Sequence, residues 1–193
     1  MVEATARILV REGFERASTN RIAAAAGVSV GSLYQYFPGK EALVAAVIER
    51  HNRDLMRVVQ AAIAQIAGAS VEVMVRTLVA AAVEAHRLDP ALHRVLAEQI
   101  PRAGDQAEVL FFHREAQGLF RTYLEERRDE LGALDLDLAA FVCVTSIEAL
   151  THAAVIHRPD MLTDDAVEAL VNEASRLVAG YLRGPSAAPG SAL

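Results

Sequence analysis

Residues 27–40 read GVSVGSLYQYFPGK, placing Tyr34, Tyr36 and Phe37 within four positions of a chain that is only 5% aromatic. Ser29 suits the cap of a short helix over VGSLYQYF, and Pro38 ends it, because its ring removes a backbone donor and clashes with the preceding turn. Just upstream, Ser18 and Thr19 suit the cap of another short helix, NRIAAAA, which Gly27 closes as the residue most at ease in left-handed backbone. Two short helices joined through a glycine-containing turn form a helix-turn-helix, whose second helix can enter the major groove of DNA. Ala23, Gly27, Val28 and Leu33 are the small and apolar residues that let the two helices cross. That packing turns Val30, Gly31, Ser32, Tyr34, Gln35 and Tyr36 outward. Glycine brings backbone close to a groove, glutamine pairs with adenine, and tyrosine hydroxyls reach phosphates. Lys40 adds a cation to the first turn of the following helix, beside free N–H groups that already favour an anion.

On either side of this unit the spacing stays helical, with no sustained period-two alternation flanked by turn residues. A first helix is predicted from Val2 to Arg11, with Ile8 and Leu9 inward and Gly13 as its stop. A long fourth helix starts at Gly39 and carries apolar residues at Leu43, Val47, Leu55, Val58 and Ile66. After a break at Gly68 to Ser70, longer helices are predicted over 71–88, Pro90 to Gln99, 106–130, 137–157 and 164–183. Pro101 to Asp105, Leu131 to Asp135 and Arg158 to Thr163 connect them. Thr163 is placed to cap the last helix, with Asp164 and Asp165 at its positive end. The Pro- and Gly-rich tail, 184–193, is expected to be disordered. The fold class is all-α, in two domains: residues 1–50, with the helix-turn-helix over about 17–36, and residues 51–183.

The chain has 193 residues, 53% apolar and 23% charged, which is a globular composition. Charged residues are expected to break every apolar run short of the roughly 20 residues that span a bilayer. The charged start, MVEATARILVREGF, does not read as a signal peptide, so a cytoplasmic protein without a membrane partner is expected. The single cysteine, Cys143 in FVCVTSI, excludes a disulfide framework and reads as a small buried hydrophobe. Net charge is −6, yet residues 1–60 carry eight Arg or Lys against six acids, leaving −8 for the rest. That asymmetry suits a small DNA-reading module joined to an acidic domain.

Six histidines (His51, His86, His93, His113, His152, His157) show no HxxxH pair, and zinc ligands would have to converge from separate helices. They are expected at the surface or in single hydrogen bonds, with no metal and no cofactor. Ser, His and Asp are present without a G-x-S-x-G elbow, so no enzyme is read here. Glu148, in FVCVTSIEALTHAAV, either faces a ligand, such as a cationic one, or is an exposed or interface-paired carboxylate. Leu138, Phe141, Val142 and Ile147, with Val167, Leu170, Val171, Ala174, Leu177, Val178 and Tyr181, give the last two helices wide apolar stripes. Such stripes suit burial against both a core and a second subunit.

Ala4, Ile8, Leu9, Gly13 and Phe14, then Thr19, Ile22, Ala23, Ala26 to Ser29, Gly31, Leu33, Tyr34, Tyr36 to Pro38 and Lys40 to Leu43, recur at fixed offsets. Over roughly residues 1–50 this pattern resembles the N-terminal domain of TetR/AcrR-type transcriptional repressors. The remainder resembles that family only in layout, as an all-helical ligand-binding and dimerisation domain. The resemblance implies that Thr19, Tyr36 and Lys40 touch phosphates and that Asn20, Val30, Gly31, Ser32, Tyr34 and Gln35 lie at or near base edges. It places Leu33 and Phe37 in the core. It further implies a homodimer joined through helices 137–157 and 164–183, a palindromic operator in double-stranded DNA, and a small-molecule inducer. Family members usually carry a longer, often basic lead-in, whereas Met1 here falls where the first helix is under way, so the arm is absent or the start lies upstream. A bundle whose helix-turn-helix contacts protein is the alternative from another class. Salt-sensitive binding to a palindromic duplex separates the two.

Overall fold

Glycine and proline divide the chain much as the sequence predicts. A computed structural model describes residues 1–66, 68–99 and 106–184, and these contain α-helices and two 3-10 turns but no strand. The N-terminal part comprises α1 (Val2–Glu12), α2 (Thr19–Ala26), α3 (Val30–Tyr36) and the long α4 (Lys40–Ile63). There follow α5 (Val71–Arg87), α6 (Pro90–Gln99), α7 (Gln106–Glu126), α8 (Leu136–His157) and α9 (Asp164–Arg183). Ser18 and Ser29 cap α2 and α3, their Oγ atoms accepting from Arg21 N and Ser32 N, and Gly27 closes α2 in left-handed backbone at φ 68°.

With 8 and 7 residues, α2 and α3 are far below the roughly 12–15 at which an isolated helix becomes even marginal, so packing must hold them. It does so through one apolar cluster containing Ile8, Leu9, Ile22, Ala23, Leu33, Leu43 and Val47. Each large side chain so buried contributes about 1.5–3 kcal/mol. Leu92 and Val95 of α6 join the same cluster, so a helix from beyond residue 50 packs against the helix-turn-helix. A second cluster, among them Met74, Val75, Val79, Leu124, Cys143 and Leu182, fills the space between α5, α7, α8 and α9.

Four details differ from expectation. Val28 is exposed, while Ile22, Ala23 and Leu33 are buried together where α2 and α3 meet. The fourth helix ends at Ile63, and Ile66 drops into the second core. The predicted helix 106–130 resolves into α7 and a separate 3-10 turn, Arg128–Glu130. Thr163 Oγ1 donates to the Asp160 carbonyl at 3.1 Å within the Pro159–Leu162 turn and does not cap α9. The connection Pro101 to Asp105 and the tail 185–193 lie outside the described residues.

Contrary to the expectation that charges interrupt every apolar run, α8 is long and apolar enough to cross a membrane by length and composition. Its 22 residues hold Asp137 and Glu148 but no Lys or Arg. The helix packs against α5, α7 and α9, burying Ala139, Ala140, Cys143, Ile147, Ala154 and Val155. Leu138, Phe141 and Leu150 remain exposed on it, as does Leu177 on α9. A helix with one face in a core and another left apolar outside must be apolar around most of its circumference.

Candidate nucleic-acid interface and ligand cavity

Because Leu33 points into the core, the residues flanking it on α3 are forced outward: Tyr34 is 52% exposed and Tyr36 70%. Asn20, Gly31 and Gln35 are exposed as well, while Thr19, Val30, Ser32 and Lys40 are half-buried. The Thr19 and Tyr34 hydroxyls lie 3.2 Å apart, joining the start of α2 to α3. Ser32 Oγ is 2.9 Å from Ser29 Oγ, so its hydroxyl already serves the α3 cap. A Cβ at Gly31 would meet only Ser29 Oγ, at 3.8 Å. Nothing among the described residues demands glycine there.

Lys40 has a partner that the sequence did not reveal. Its Nζ donates to the Phe14 carbonyl at 3.1 Å and stands 3.9 Å from the centre of the Phe14 ring. A carbonyl and an aromatic face hold an ammonium in place without cancelling its charge. The start of α4 is thus a fixed cation beside α3.

Between α4, α5, α7 and α8 lies a cavity of about 170 Å³. Leu55, Met56, Val59, Leu78, Phe120, Val144 and Ile147 make its wall mainly apolar, and Asn52, His86, His113, Tyr123, Glu148 and Thr151 supply polar atoms. Glu148 Oε2 is 3.2 Å from His113 Nδ1. Burial in this wall holds the Glu148 carboxyl above its ordinary ionisation range, and His113 opposes the shift only in part. The two residues sit on different helices, 35 positions apart, so no spacing in the sequence could pair them.

The histidine expectation needs correction. His51, His86 and His93 are buried, and His93 is hydrogen-bonded at both ring nitrogens: Nδ1 lies 3.0 Å from His51 Nε2, and Nε2 lies 2.9 Å from His152 Nδ1. The rings come from α4, α5, α6 and α8, and no local spacing announces that. Burial, reinforced by the neighbouring rings, pushes His93 down to about 3, and burial also lowers His51 and His86. All three are neutral imidazoles near pH 7.

Residues 1–47 match the bacterial regulatory protein family tetR, and residues 70–182 match the tetracyclin repressor-like C-terminal domain. Among curated relatives, the nucleoid occlusion factor SlmA of Glaesserella parasuis is 34% identical over 85 residues, which is 44% of this chain and 41% of that protein. The chain therefore spans less than half the length of the relative it matches. The fatty acid degradation regulator FadR from Bacillus halodurans superimposes with a TM-score of 0.70 at 23% identity, covering 94% of this chain and 97% of that one. FadR from Bacillus subtilis, solved in complex with stearoyl-CoA, gives a TM-score of 0.71 at 17% identity over 92% and 95% of the two chains. These likenesses establish the fold. Since one family domain alone covers more than half of the sequence and its companion covers the helix-turn-helix, the chain belongs to the TetR family of ligand-responsive, DNA-binding transcriptional regulators, which are not enzymes.

Proposed function

We propose that the protein is a homodimeric repressor that binds a palindromic operator and is released when a small molecule enters the cavity. The observation that carries this is the reach of α4. The helix opens with Lys40 beside α3 and, further along, lines the cavity with Asn52, Leu55, Met56, Val59 and Ile63. A ligand that wedges this wall moves the helix on which the reading unit stands. In a two-fold dimer that alters the separation of the two α3 helices, which must match successive major grooves about 34 Å apart. Differential affinity of about 1–3 kcal/mol between the two forms is enough for a 5- to 150-fold change.

In this reading Thr19, Tyr36 and Lys40 hold phosphates, while Asn20, Val30, Gly31, Ser32, Tyr34 and Gln35 meet base edges. The subunits join through α8 and α9, on the exposed Leu138, Phe141 and Leu177. The inducer is a compact apolar molecule bearing a hydrogen-bond donor or cationic group for Glu148. An operator in the chromosome makes the cytoplasm its place of work.

Operator affinity measured across a salt series tests the assignment. Lys40→Ala should weaken all duplexes about equally and make the slope of log affinity against log salt shallower by about 0.9 per subunit. Gln35→Ala should cost about 1–3 kcal/mol on the preferred operator, less on variants altered at one symmetric position, and leave the slope alone. A protein whose duplex binding is insensitive to both substitutions does not use this face for DNA.

A further inference from the structure

His86 on α5, His93 on α6 and His152 on α8 each offer one ring nitrogen, and the three nitrogens lie within 4.8 Å of one another. Ligands of one tetrahedral zinc at 2.0–2.1 Å stand about 3.3 Å apart. The 2.9 Å between His93 Nε2 and His152 Nδ1 falls just inside that spacing. The His93–His152 pair is thus close to ligand spacing, and the His86 nitrogen lies within 4.8 Å of both.

Two further contacts set the protonation that a metal needs. His86 Nδ1 is 2.7 Å from the Ala82 carbonyl, which only accepts, so Nδ1 carries the proton and Nε2 the lone pair. His93 Nδ1 faces His51 Nε2 at 3.0 Å, and donating its N–H there leaves Nε2 as the ligand atom. Metal-binding histidines characteristically give their second N–H to a carbonyl or another acceptor in this way.

We propose that His86, His93 and His152 form a site for a divalent transition-metal ion of the zinc type, with His51 as the hydrogen-bonded partner that orients His93. An all-imidazole set favours zinc, copper or nickel and discriminates against magnesium and calcium, which require oxygen ligands. A fourth position is left for water or for an oxygen of a molecule in the cavity, whose wall includes His86. The ion bridges the two cores: α6 sends Leu92 and Val95 into the DNA-reading cluster, while α5 and α8 belong to the other. Metal binding would hold α6 against the cavity and, through His51, fix α4.

The test uses the full chain, freed of metal with a chelator and titrated with Zn²⁺ against a chromophoric indicator, with Co²⁺ as a spectroscopic stand-in. One ion per chain is expected, with the intense visible bands of low-coordinate Co²⁺. At zinc a hundredfold above its Kd, the ratio of unfolded to folded protein should fall about 100-fold. His93→Ala should abolish uptake, His51→Ala should weaken it about 10- to 100-fold, and His157→Ala, at an exposed position outside the cluster, should leave it unchanged. Should His93→Ala fail to fold, the wild-type Co²⁺ spectrum decides. No uptake by wild type, an octahedral Co²⁺ spectrum, or uptake that survives His93→Ala would each overturn the site and leave a hydrogen-bonded polar core.

Discussion

The Thr19 and Tyr34 hydroxyls, 3.2 Å apart, tie the first turn of α2 to the outer side of α3. Both residues belong to the surface proposed to meet DNA, so the bond would set how the proposed phosphate and base contacts are held relative to one another. An exposed hydrogen bond of this kind contributes no more than about 0.5–1.5 kcal/mol to folding. Thr19→Val and Tyr34→Phe should therefore unfold close to wild type yet weaken operator binding. Acting as one unit, they should be non-additive, with a coupling of about 0.5–3 kcal/mol in a double-mutant cycle. Fluorescence anisotropy on an operator fragment measures all four proteins, and strictly additive losses would show two independent contacts.

Gly31 separates folding from reading more sharply. Its position in α3 leaves room for a methyl group, and helical glycine is roughly 0.5–1 kcal/mol less stable than alanine. Gly31→Ala is therefore expected to leave the melting temperature unchanged or raise it. If the glycine exists to let backbone approach a groove, the same variant loses operator affinity. Retained affinity would place α3 further from the bases than proposed.

The DNA-reading half was legible because its chemistry is local. Ser29, Pro38, Gly27 and Leu33 act on neighbours a few residues away, so cap, stop, turn and buried face can each be read from spacing. Contacts between distant positions could not be read that way. Phe14 under Lys40 and His113 beside Glu148 depend on how helices cross. The histidines are the extreme case: His51, His86, His93 and His152 occupy four helices, and only tertiary packing makes them neighbours. The cap at Thr163 shows the opposite error, where a locally favourable residue is drawn into a preceding turn.

The exposed apolar residues of α8 and α9 bear on the dimer. Leu138 and Phe141 on α8 and Leu177 on α9 are each more than half exposed, although large apolar groups gain about 1.5–3 kcal/mol on burial. In the proposed two-fold dimer a second copy would supply that burial, with each residue acting twice. Sedimentation at micromolar concentration should show a dimer. Phe141→Asp together with Leu177→Asp should give a folded monomer with greatly weakened operator binding. A wild-type monomer, or a double variant that remains dimeric, would remove α8 and α9 from the interface.

Glu148 is ionised later in the folded chain than in the unfolded one, because the apolar cavity wall disfavours its charge more than His113 favours it. Unfolded, the carboxyl loses its proton near the ordinary value of 4.5. As pH rises past that point the unfolded chain releases a proton that the folded chain retains, so stability falls until the folded carboxyl has ionised too. Above that pH the deficit is constant. Glu148→Gln removes it, so variant and wild type should be similar near pH 4 and diverge in favour of the variant as pH climbs. Urea midpoints for both proteins between pH 4 and pH 8 provide the measurement. If Glu148 anchors a cationic ligand as proposed, the same variant should lose about 1.5–3 kcal/mol of affinity for an apolar amine. A variant that is less stable at every pH would instead make Glu148 and His113 a structural pair, and the polar anchor of the ligand would have to be sought among Asn52, Tyr123 and Thr151.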